Sequence, residues 1–263
     1  MKKYAYVTVL STEDYVKGVL MLFKSIEKTK PKCHNYVVII NENISEDTEL
    51  YLKSHNLQVI RKHSINIPSI IREKNKQSTS PNWSYTFDKF YIFDLTEFNK
   101  IIYIDSDIFI RKNIEFLFDK PHMSAVIAGK NYKGNENWTK INSGLMIIKP
   151  EKGISKDLIE LMIQEVDVQE AVGDQDIIEK YYQWEKKENL HMEEKYNIFA
   201  NYIDFYVNDL EYSFEDIFAI HFIGKKKPWM LNKLEKENYI KKCKEEHRVY
   251  QLQVFKEYLE MIL

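Results

Sequence analysis

Two aspartates separated by a single residue, Asp105 and Asp107, directly follow the apolar run 100–104. Two carboxylates at this spacing, where a chain turns out of a sheet, can both reach one hard cation. Phosphate oxygens and water would complete the coordination, so the pattern suits a reaction with a diphosphate leaving group. Taken alone, the same pattern is equally typical of a polar turn between two strands.

A second polar cluster lies much later in the chain, between His221 and Trp229. It contains Gly224 and three consecutive lysines that end at Lys227, followed by a rigid Pro-Trp pair. The histidine could supply a nitrogen ligand for the cation, and a lysine from the same loop could contact a diphosphate. Without the aspartate pair, the segment would be interpreted as a solvated basic turn.

Two shorter motifs place polar side chains beside glycine. Residues 142–144 (Asn-Ser-Gly) enter an apolar run, and residues 173–176 (Gly-Asp-Gln-Asp) open a predicted helix. Each is compatible with a mere turn or helix N-cap. Their interpretation therefore depends on the motifs around them.

Alternating strand and helix patterns predict an α/β fold with a mostly parallel sheet. The predicted strands are 4–10, 36–40, 57–61, 100–105, 124–128 and 144–148, and the predicted helices are 14–29, 46–56 after a capping Ser45, 84–94, 154–166 and 174–183. Residues 64–83 lack periodicity and contain two prolines, which predicts a loop. Because ligands bind outside the carboxyl ends of such strands, Asp105 falls where a site is expected.

Composition narrows the function classes. With 38 basic and 40 acidic side chains among 263 residues, no global charge would attract nucleic acid. Cys33 and Cys243 stand far apart, which favours a reducing compartment over a disulfide framework, and we expect a soluble cytoplasmic protein. No run approaches the roughly 18 apolar residues of a membrane helix, so no transmembrane segment is predicted.

In this order and spacing, the motifs resemble glycogenin and its relatives, the retaining glycosyltransferases of family eight. The resemblance covers about residues 4–230 and rests on Tyr6-Val-Thr, Tyr15, Lys17-Gly18, Lys89, Asp105-Ser-Asp107, Asn142-Ser-Gly144, Gly173-Asp-Gln175 and the segment from His221 to Trp229. It implies a single GT-A-type catalytic domain over 1–230, with a Rossmann-like central sheet flanked by helices. Residues 231–263 would form a helical tail, with Tyr250, Val254, Tyr258 and Met261 on one side.

The resemblance also implies roles for individual residues. Asp105, Asp107 and His221 would bind Mn²⁺, with Mg²⁺ as an alternative. A UDP-sugar donor would be held by its uracil and ribose, its sugar hydroxyls and its diphosphate, through Val9, Ser11, Tyr15, Lys89, Asp105, Ser106, Asn142, Ser143, Gly224 and Lys227. The residues implied in catalysis are Asp174, Gln175 and Lys227, of which the first two would flank the anomeric carbon.

Two departures from the family pattern concern the ribose contact and the acceptor. Thr12 replaces an asparagine that is common in the first βα turn. Glycogenins carry a priming tyrosine at a fixed distance after a Tyr-Asn pair, and the same count from Tyr196 ends on Asp204. We therefore expect a separate acceptor, a glycan or a protein side chain, with self-transfer to Tyr202 or Tyr206 as the alternative.

The expected reaction is retaining transfer of a hexose, glucose or galactose, from a UDP-sugar to an acceptor hydroxyl. The acceptor could enter on the face that the diphosphate leaves, or Asp174 could act as a nucleophile in a double displacement. A self-glucosylating protein, a sugar-nucleotide-binding module without activity, and a metal-dependent nuclease or phosphatase are the alternatives. The last would need more clustered carboxylates for two metals. Homodimer formation stays open.

Overall fold

The computed structural model describes residues 3–78, 81–127, 129–164 and 171–262. Strands in these ranges are β1 (Tyr4–Leu10), β2 (Tyr36–Ile40), β3 (Gln58–Arg61), β4 (Lys100–Ile104), β5 (Ile108–Ile110), β6 (Ser124–Val126), β7 (Asn142–Ile148), β8 (His191–Met192), β9 (Ile198–Phe199) and β10 (Ala219–His221). One sheet has the order β3-β2-β1-β4-β7-β6-β8. Its first four strands are parallel and β7 is antiparallel to both neighbours, which confirms the mostly parallel sheet.

The α-helices in the described ranges are α1 (Val16–Lys28), α2 (Glu46–Ser54), α3 (Ser69–Gln77), α4 (Ile154–Gln164), α5 (Asp174–Tyr182), α6 (Ile203–Asn208), α7 (Lys233–Glu245) and α8 (Val249–Ile262). The first five cover the two faces of this sheet. The Ser45 hydroxyl accepts a hydrogen bond from the Thr48 N–H at 3.2 Å, so Ser45 caps α2 as predicted.

The two core layers follow from side-chain alternation along the strands. In β1, Ala5 and Val7 pack with α3, α4 and α5, whereas Tyr6 packs with α1 and α2 on the opposite face. Strands covered on both faces are apolar throughout, which is why their sequences read as continuous hydrophobic runs.

A second, three-stranded sheet with the order β5-β10-β9 was not predicted. Its strands are two or three residues long, too short for an alternating pattern to be read from the sequence. β10 pairs antiparallel with β5, and this register places His221 opposite Ile108. The small sheet therefore brings a distant histidine next to the turn that contains the aspartate pair.

Two predicted elements differ from the structure. The segment 64–83, expected to be a loop, contains α3, in which only Ile71 and Asn75 are buried, so the helix lacks an apolar stripe. The helix expected over 84–94 is instead two 3-10 segments, Pro81–Tyr85 and Phe87–Asp94. Six of the eight side chains of the second segment are buried, so packing rather than helical periodicity fixes its conformation. Residues 79–80, Ala128 and 165–166 of the predicted elements lie outside the described residues.

The last helix, α8, packs on α1, α6 and α7 and on the small sheet. The side of α8 predicted to be apolar is buried in a third hydrophobic cluster through Tyr250, Val254, Tyr258 and Met261. Arg111 joins Glu257 of α8 at 2.9 Å. The Asp204 carboxylate accepts hydrogen bonds from the first-turn N–H groups of Tyr250 and Gln251, at 2.9 and 3.0 Å. None of the helices in the described ranges has the length and apolar character needed to span a bilayer.

Stability should depend on pH through His122. Burial, followed by the nearby charges of Lys149, Lys187 and Lys100, lowers the pKa of His122 to about 4. The neutral Nδ1 accepts a hydrogen bond from the Lys149 N–H at 3.1 Å, and protonation would abolish this bond. Because the unfolded chain binds the proton more readily, stability falls as pH drops from about 6.5 to about 4, by up to ~3 kcal/mol.

Urea unfolding of the wild type and His122→Asn at pH 7 and pH 4 measures this effect. Asparagine keeps an acceptor but does not titrate, so the variant should lose less stability than the wild type on acidification. His247→Asn is the control, since His247 is exposed. Equal losses in the wild type and His122→Asn would show that another group controls the acid sensitivity.

Candidate functional site

The aspartate pair lies in the turn between β4 and β5, next to the beginning of β7. Asp105 directly follows β4, and its N–H donates to the carbonyl of Gly144 in β7 at 2.7 Å. Asp107 directly precedes β5, which pairs with the strand carrying His221. One ligand atom from each of Asp105, Asp107 and His221 can be chosen so that all lie within 4.8 Å of one another.

Asp107 contacts His221 and Lys227, one with each of its carboxylate oxygens. Its Oδ1 lies 3.1 Å from His221 Nε2, and its Oδ2 lies 2.6 Å from Lys227 Nζ. Burial acts to raise the pKa of Asp107, but the charges of His221 and Lys227 outweigh it and hold that pKa well below its usual range. Asp107 is therefore a carboxylate rather than a carboxylic acid.

The site fits a divalent cation. Nδ1 of His221 is buried and has no hydrogen-bond partner among the described residues. The carboxylates of Asp105, Asp107 and Asp174 outnumber the ammonium groups of Lys89 and Lys227 in the same network, leaving negative charge for a cation to neutralise. Two carboxylate groups and an imidazole are a usual ligand set for Mn²⁺ and similar ions.

Gly144 explains why the Asn-Ser-Gly motif ends in glycine. A Cβ at this position would lie 2.8 Å from His221 Cε1 and 3.1 Å from Asp105 Oδ2. Any side chain would displace the histidine or the carboxylate. The glycine therefore lets β7 pass directly beside two of the candidate metal ligands, His221 and Asp105.

Lys89 connects the aspartate pair to the beginning of α5. Its Nζ lies 2.7 Å from Asp174 Oδ2 and 3.2 Å from Asp105 Oδ1. It also donates to the Ser143 hydroxyl at 3.0 Å. Burial disfavours the charged form, but the two carboxylates outweigh burial and raise the pKa of Lys89. A charged lysine, only 4% exposed, thus holds two separate chain segments together.

The other residues of the two short motifs belong to the same network. The Ser143 hydroxyl donates to Asp174 Oδ2 at 2.7 Å, and the Ser143 N–H donates to Gln175 Oε1 at 3.2 Å. The Asn142 Oδ1 accepts from the Asn197 side-chain amide and from the Gly144 N–H, both at 2.9 Å. The structure therefore brings together residues 142–143, Asp174 and Gln175.

The first βα turn lies beside the lysine loop. Tyr15 packs edge-on against Trp229, and Lys227 Nζ lies 6.0 Å from the centroid of the Tyr15 ring. Burial, then the charges of Asp107 and Asp105, raise the pKa of the Tyr15 phenol. Val9 is near the end of β1, and the hydroxyl of Ser11 donates to Asp88 at 3.3 Å.

The lysine loop folds back onto the aspartate pair. Lys227 is buried and also donates to the carbonyl of Phe222 at 2.8 Å, whereas Lys225 and Lys226 are exposed. Gly224 has a φ of +101°, a left-handed conformation that favours glycine. Ser106, between the two aspartates, is buried.

Several residues beside the candidate site were not predicted from the sequence. Asp88 is buried and accepts hydrogen bonds from Ser11, from the Asn41 side chain at 2.8 Å and from the Ile65 N–H at 2.8 Å, so it joins the first turn to the segment after β3. Burial raises the pKa of Asp88. An acidic residue next to Lys89 was the available indication, but its burial cannot be read from the sequence.

A second missed group holds the start of α5. The Asn75 side chain, fully buried in α3, donates to the Val172 carbonyl and accepts from the Val172 N–H, both at 2.8 Å. The Thr86 hydroxyl accepts from the Asp174 N–H at 3.2 Å. These contacts fix the backbone immediately before and at Asp174.

Family comparison agrees with this arrangement. The sequence model of the protein family described as Glycosyl transferase family 8 matches residues 6–233. The chain belongs to glycosyl transferase family 8. Among curated proteins it is similar to the putative UDP-glucuronate:xylan alpha-glucuronosyltransferase 3 of Arabidopsis thaliana, at 32% identity over 241 residues, covering 87% of this chain and 35% of that protein. The chain thus spans about a third of the length of this relative.

Solved structures share the fold. An active-site mutant of LgtC aligns with a TM-score of 0.66 and 16% identity, covering 97% of this chain and 95% of that one. The apo form of GlyE from Streptococcus pneumoniae TIGR4 aligns with a TM-score of 0.60 and 19% identity, covering 98% and 62%. At these identities the likeness establishes the fold alone, and it confirms the expected GT-A-type architecture.

Proposed function

We propose that the chain is a retaining glycosyltransferase that moves glucose or galactose from a UDP-sugar to an acceptor hydroxyl, with Mn²⁺ or Mg²⁺ bound by Asp105, Asp107 and His221. The observation that carries this proposal is the convergence of these ligands with Lys227 in a family 8 chain. The bound metal would offset the negative charge that develops on the departing diphosphate. We assign catalysis to residues 1–230 and a supporting role to the tail, 231–263.

Different side chains of the protein would bind different parts of the donor. Tyr15, Ser11 and Val9 contact uracil and ribose, while Ser106 and Gly224 bring backbone close to the diphosphate. Lys227 stabilises the diphosphate as its charge increases. Lys89, Asn142 and Ser143 lie on the sugar side, and Asp174 and Gln175 flank the anomeric carbon.

We favour entry of the acceptor on the face that the diphosphate leaves. The bond between the anomeric carbon and the diphosphate breaks, the acceptor oxygen bonds to that carbon, and the acceptor proton passes to the departing phosphate oxygen. A double displacement would need Asp174 as nucleophile. Its Oδ2 already accepts from Ser143 and is paired with Lys89, contacts that reduce its nucleophilicity and support the first route.

UDP-glucuronate is the second candidate donor, because plant relatives of this chain are described as UDP-glucuronate-dependent transferases. A uronate carboxylate would require an available cation near the sugar. Lys89 and Lys227 are each paired with carboxylates, Lys89 with Asp105 and Asp174, which favours a neutral hexose.

The acceptor is proposed to be a separate molecule. The Asp204 carboxylate binds the first turn of α8, and the Tyr206 hydroxyl is buried against Glu194. Tyr202 stacks on Tyr132 with ring centroids 3.8 Å apart. Intact-mass spectrometry after incubation with donor and Mn²⁺ tests this proposal: hexose additions that disappear in a Tyr202→Phe, Tyr206→Phe double variant would establish self-transfer instead.

Product analysis tests the proposed activity. The protein is incubated with Mn²⁺ and, separately, UDP-glucose, UDP-galactose and UDP-glucuronate. A transferase releases UDP, a metal-dependent phosphohydrolase cleaves within the diphosphate to give UMP and a sugar 1-phosphate, and an inactive binding module releases none of these. UDP release fastest with UDP-glucuronate would replace the neutral hexose in the proposal, and the absence of UDP with all three donors would reject the transferase.

Asn75→Ala should lower kcat about tenfold while the donor KM changes less than about threefold. The substitution removes both hydrogen bonds to Val172 and frees the start of α5, so Asp174 is positioned less accurately. Initial-rate kinetics on folded protein measure the effect. Gln251→Ala is the matched control, because its side-chain amide is also buried but bonds to Asn201 and Tyr239, beside the carboxyl-terminal helices. Equal losses of kcat in both variants would show that Asn75 contributes to overall stability and does not specifically position Asp174.

A further inference from the structure

Two of the four tryptophans are exposed, and both belong to segments that contact the first turn of α5. Trp184 and Trp229 are core residues, whereas Trp83 and Trp138 are 40% and 42% exposed. Indoles present a large apolar surface to water and are concentrated at binding surfaces for that reason. The position of both segments at the first turn of α5, which begins with Asp174, suggests a ligand.

Trp83 lies against the residue that precedes Asp174. A Cβ built on Gly173 would lie 3.5 Å from the Trp83 ring, which places the indole in contact range of this backbone. The Trp83 carbonyl accepts from both the N–H and the hydroxyl of Thr86, and that hydroxyl accepts from the Asp174 N–H. The exposed indole is therefore fixed at the edge of the proposed site.

Trp138 lines a groove of about 360 Å³ together with Gly134, Asn135, Asn137, Thr139 and Lys140. This volume is within the roughly 300–1,000 Å³ of small-ligand sites. Lys140 Nζ lies 3.5 Å from Asp176 in the first turn of α5, and the chain enters β7 at Asn142 shortly afterwards. The groove thus adjoins the same helix end as Trp83.

The lining matches an uncharged, hydroxyl-rich ligand. Side-chain amides and a threonine hydroxyl both donate and accept hydrogen bonds, as vicinal sugar hydroxyls require. The indole can pack on the C–H face of a pyranose ring. The groove's lysine is paired with Asp176, so the lining favours neither an acidic peptide nor a phosphate-bearing ligand.

Resting on the proposed transferase function, we infer that this groove and Trp83 form the acceptor subsite and that the acceptor is a neutral oligosaccharide. Trp138 supports one sugar ring in the groove. Trp83 borders the ring whose hydroxyl is glycosylated. The two indoles are thus specificity-determining residues on the acceptor side, separate from the residues proposed to hold the donor.

The test uses the full chain with Mn²⁺, the donor that gives fastest UDP release, and xylohexaose, maltohexaose or lactose as acceptor probes. With a probe that is glycosylated, Trp138→Ala and Trp83→Ala should each raise the acceptor KM about tenfold, with a much smaller change in the donor KM. Trp138→Phe should restore most of the affinity. Tyr51→Ala, which removes an exposed aromatic side chain from α2, should keep the wild-type acceptor KM.

Saturation-transfer NMR with the same saccharides provides a readout that does not need turnover: contacts should be seen with the wild type and be lost in Trp138→Ala. Unchanged acceptor KM and NMR contacts in both tryptophan variants would overturn the inference. So would UDP release by the wild type with no transfer to, and no NMR contact with, any of the three saccharides, a result that leaves the proposed donor chemistry intact. Absence of UDP release with every donor would instead reject the proposed function and this inference with it.

Discussion

Asp107→Asn is expected to lower turnover roughly 1,000-fold or more, since it removes one of two carboxylate ligands and the charge that pairs with Lys227. Asparagine preserves the shape of the side chain. Both substitutions remove the negative charge beside Lys227, but the asparagine amide oxygen can still accept its hydrogen bond, whereas alanine would leave the buried ammonium with the Phe222 carbonyl alone. The asparagine variant therefore separates loss of function from loss of folding.

The measurements are UDP release and Mn²⁺ binding by calorimetry. EDTA should abolish UDP release by the wild type, and added Mn²⁺ should restore it, while Asp107→Asn should no longer bind the ion tightly. Asp209→Asn, at an exposed carboxylate, serves as the control. Full activity in EDTA would refute the metal assignment.

Lys227→Ala is expected to lower kcat about 100-fold, with a much smaller effect on the dissociation constant of the UDP-sugar. A cation directed at charge that grows on the diphosphate contributes most in the transition state. Lys227 is the buried member of its lysine run and contacts Asp107 at 2.6 Å. Single-turnover rates and donor titrations measure the two quantities separately.

The neighbouring lysine provides a matched control. Lys226 is exposed and pairs with Glu235, so Lys226→Ala should retain near-wild-type kcat. If Lys227→Ala weakens donor binding but keeps kcat, the residue acts only in ground-state affinity. Equal effects of the two substitutions would indicate a general contribution of the loop's positive charge.

The sequence predicted the parts of the fold that have strong patterns. Long apolar runs identified β1, β2, β4 and β7, because strands covered on both faces must be hydrophobic along their length. The motif residues could be grouped because several follow or begin such strands. Their convergence depends on strand order, which the chain pattern only restricts.

The missed elements depend on contacts that leave little trace in the sequence. α3 buries one isoleucine and one asparagine, so its inner face has no hydrophobic period. The small sheet that carries His221 is made from strands of two or three residues, and its pairing joins segments more than 100 positions apart. The hydrogen bonds of Asn75 and Asp88 likewise involve backbone groups whose positions only the folded chain defines.

The cap at Asp204 has an evolutionary consequence. By the count from Tyr196, Asp204 falls at the position expected for a priming tyrosine, and here it fastens the first turn of α8 through two backbone hydrogen bonds. A mutation to tyrosine would introduce the hydroxyl but remove both bonds, at a cost of about 1 kcal/mol by comparison with lost helix caps. A change toward self-priming at this position would therefore carry a stability cost that substitutions around α8 could offset.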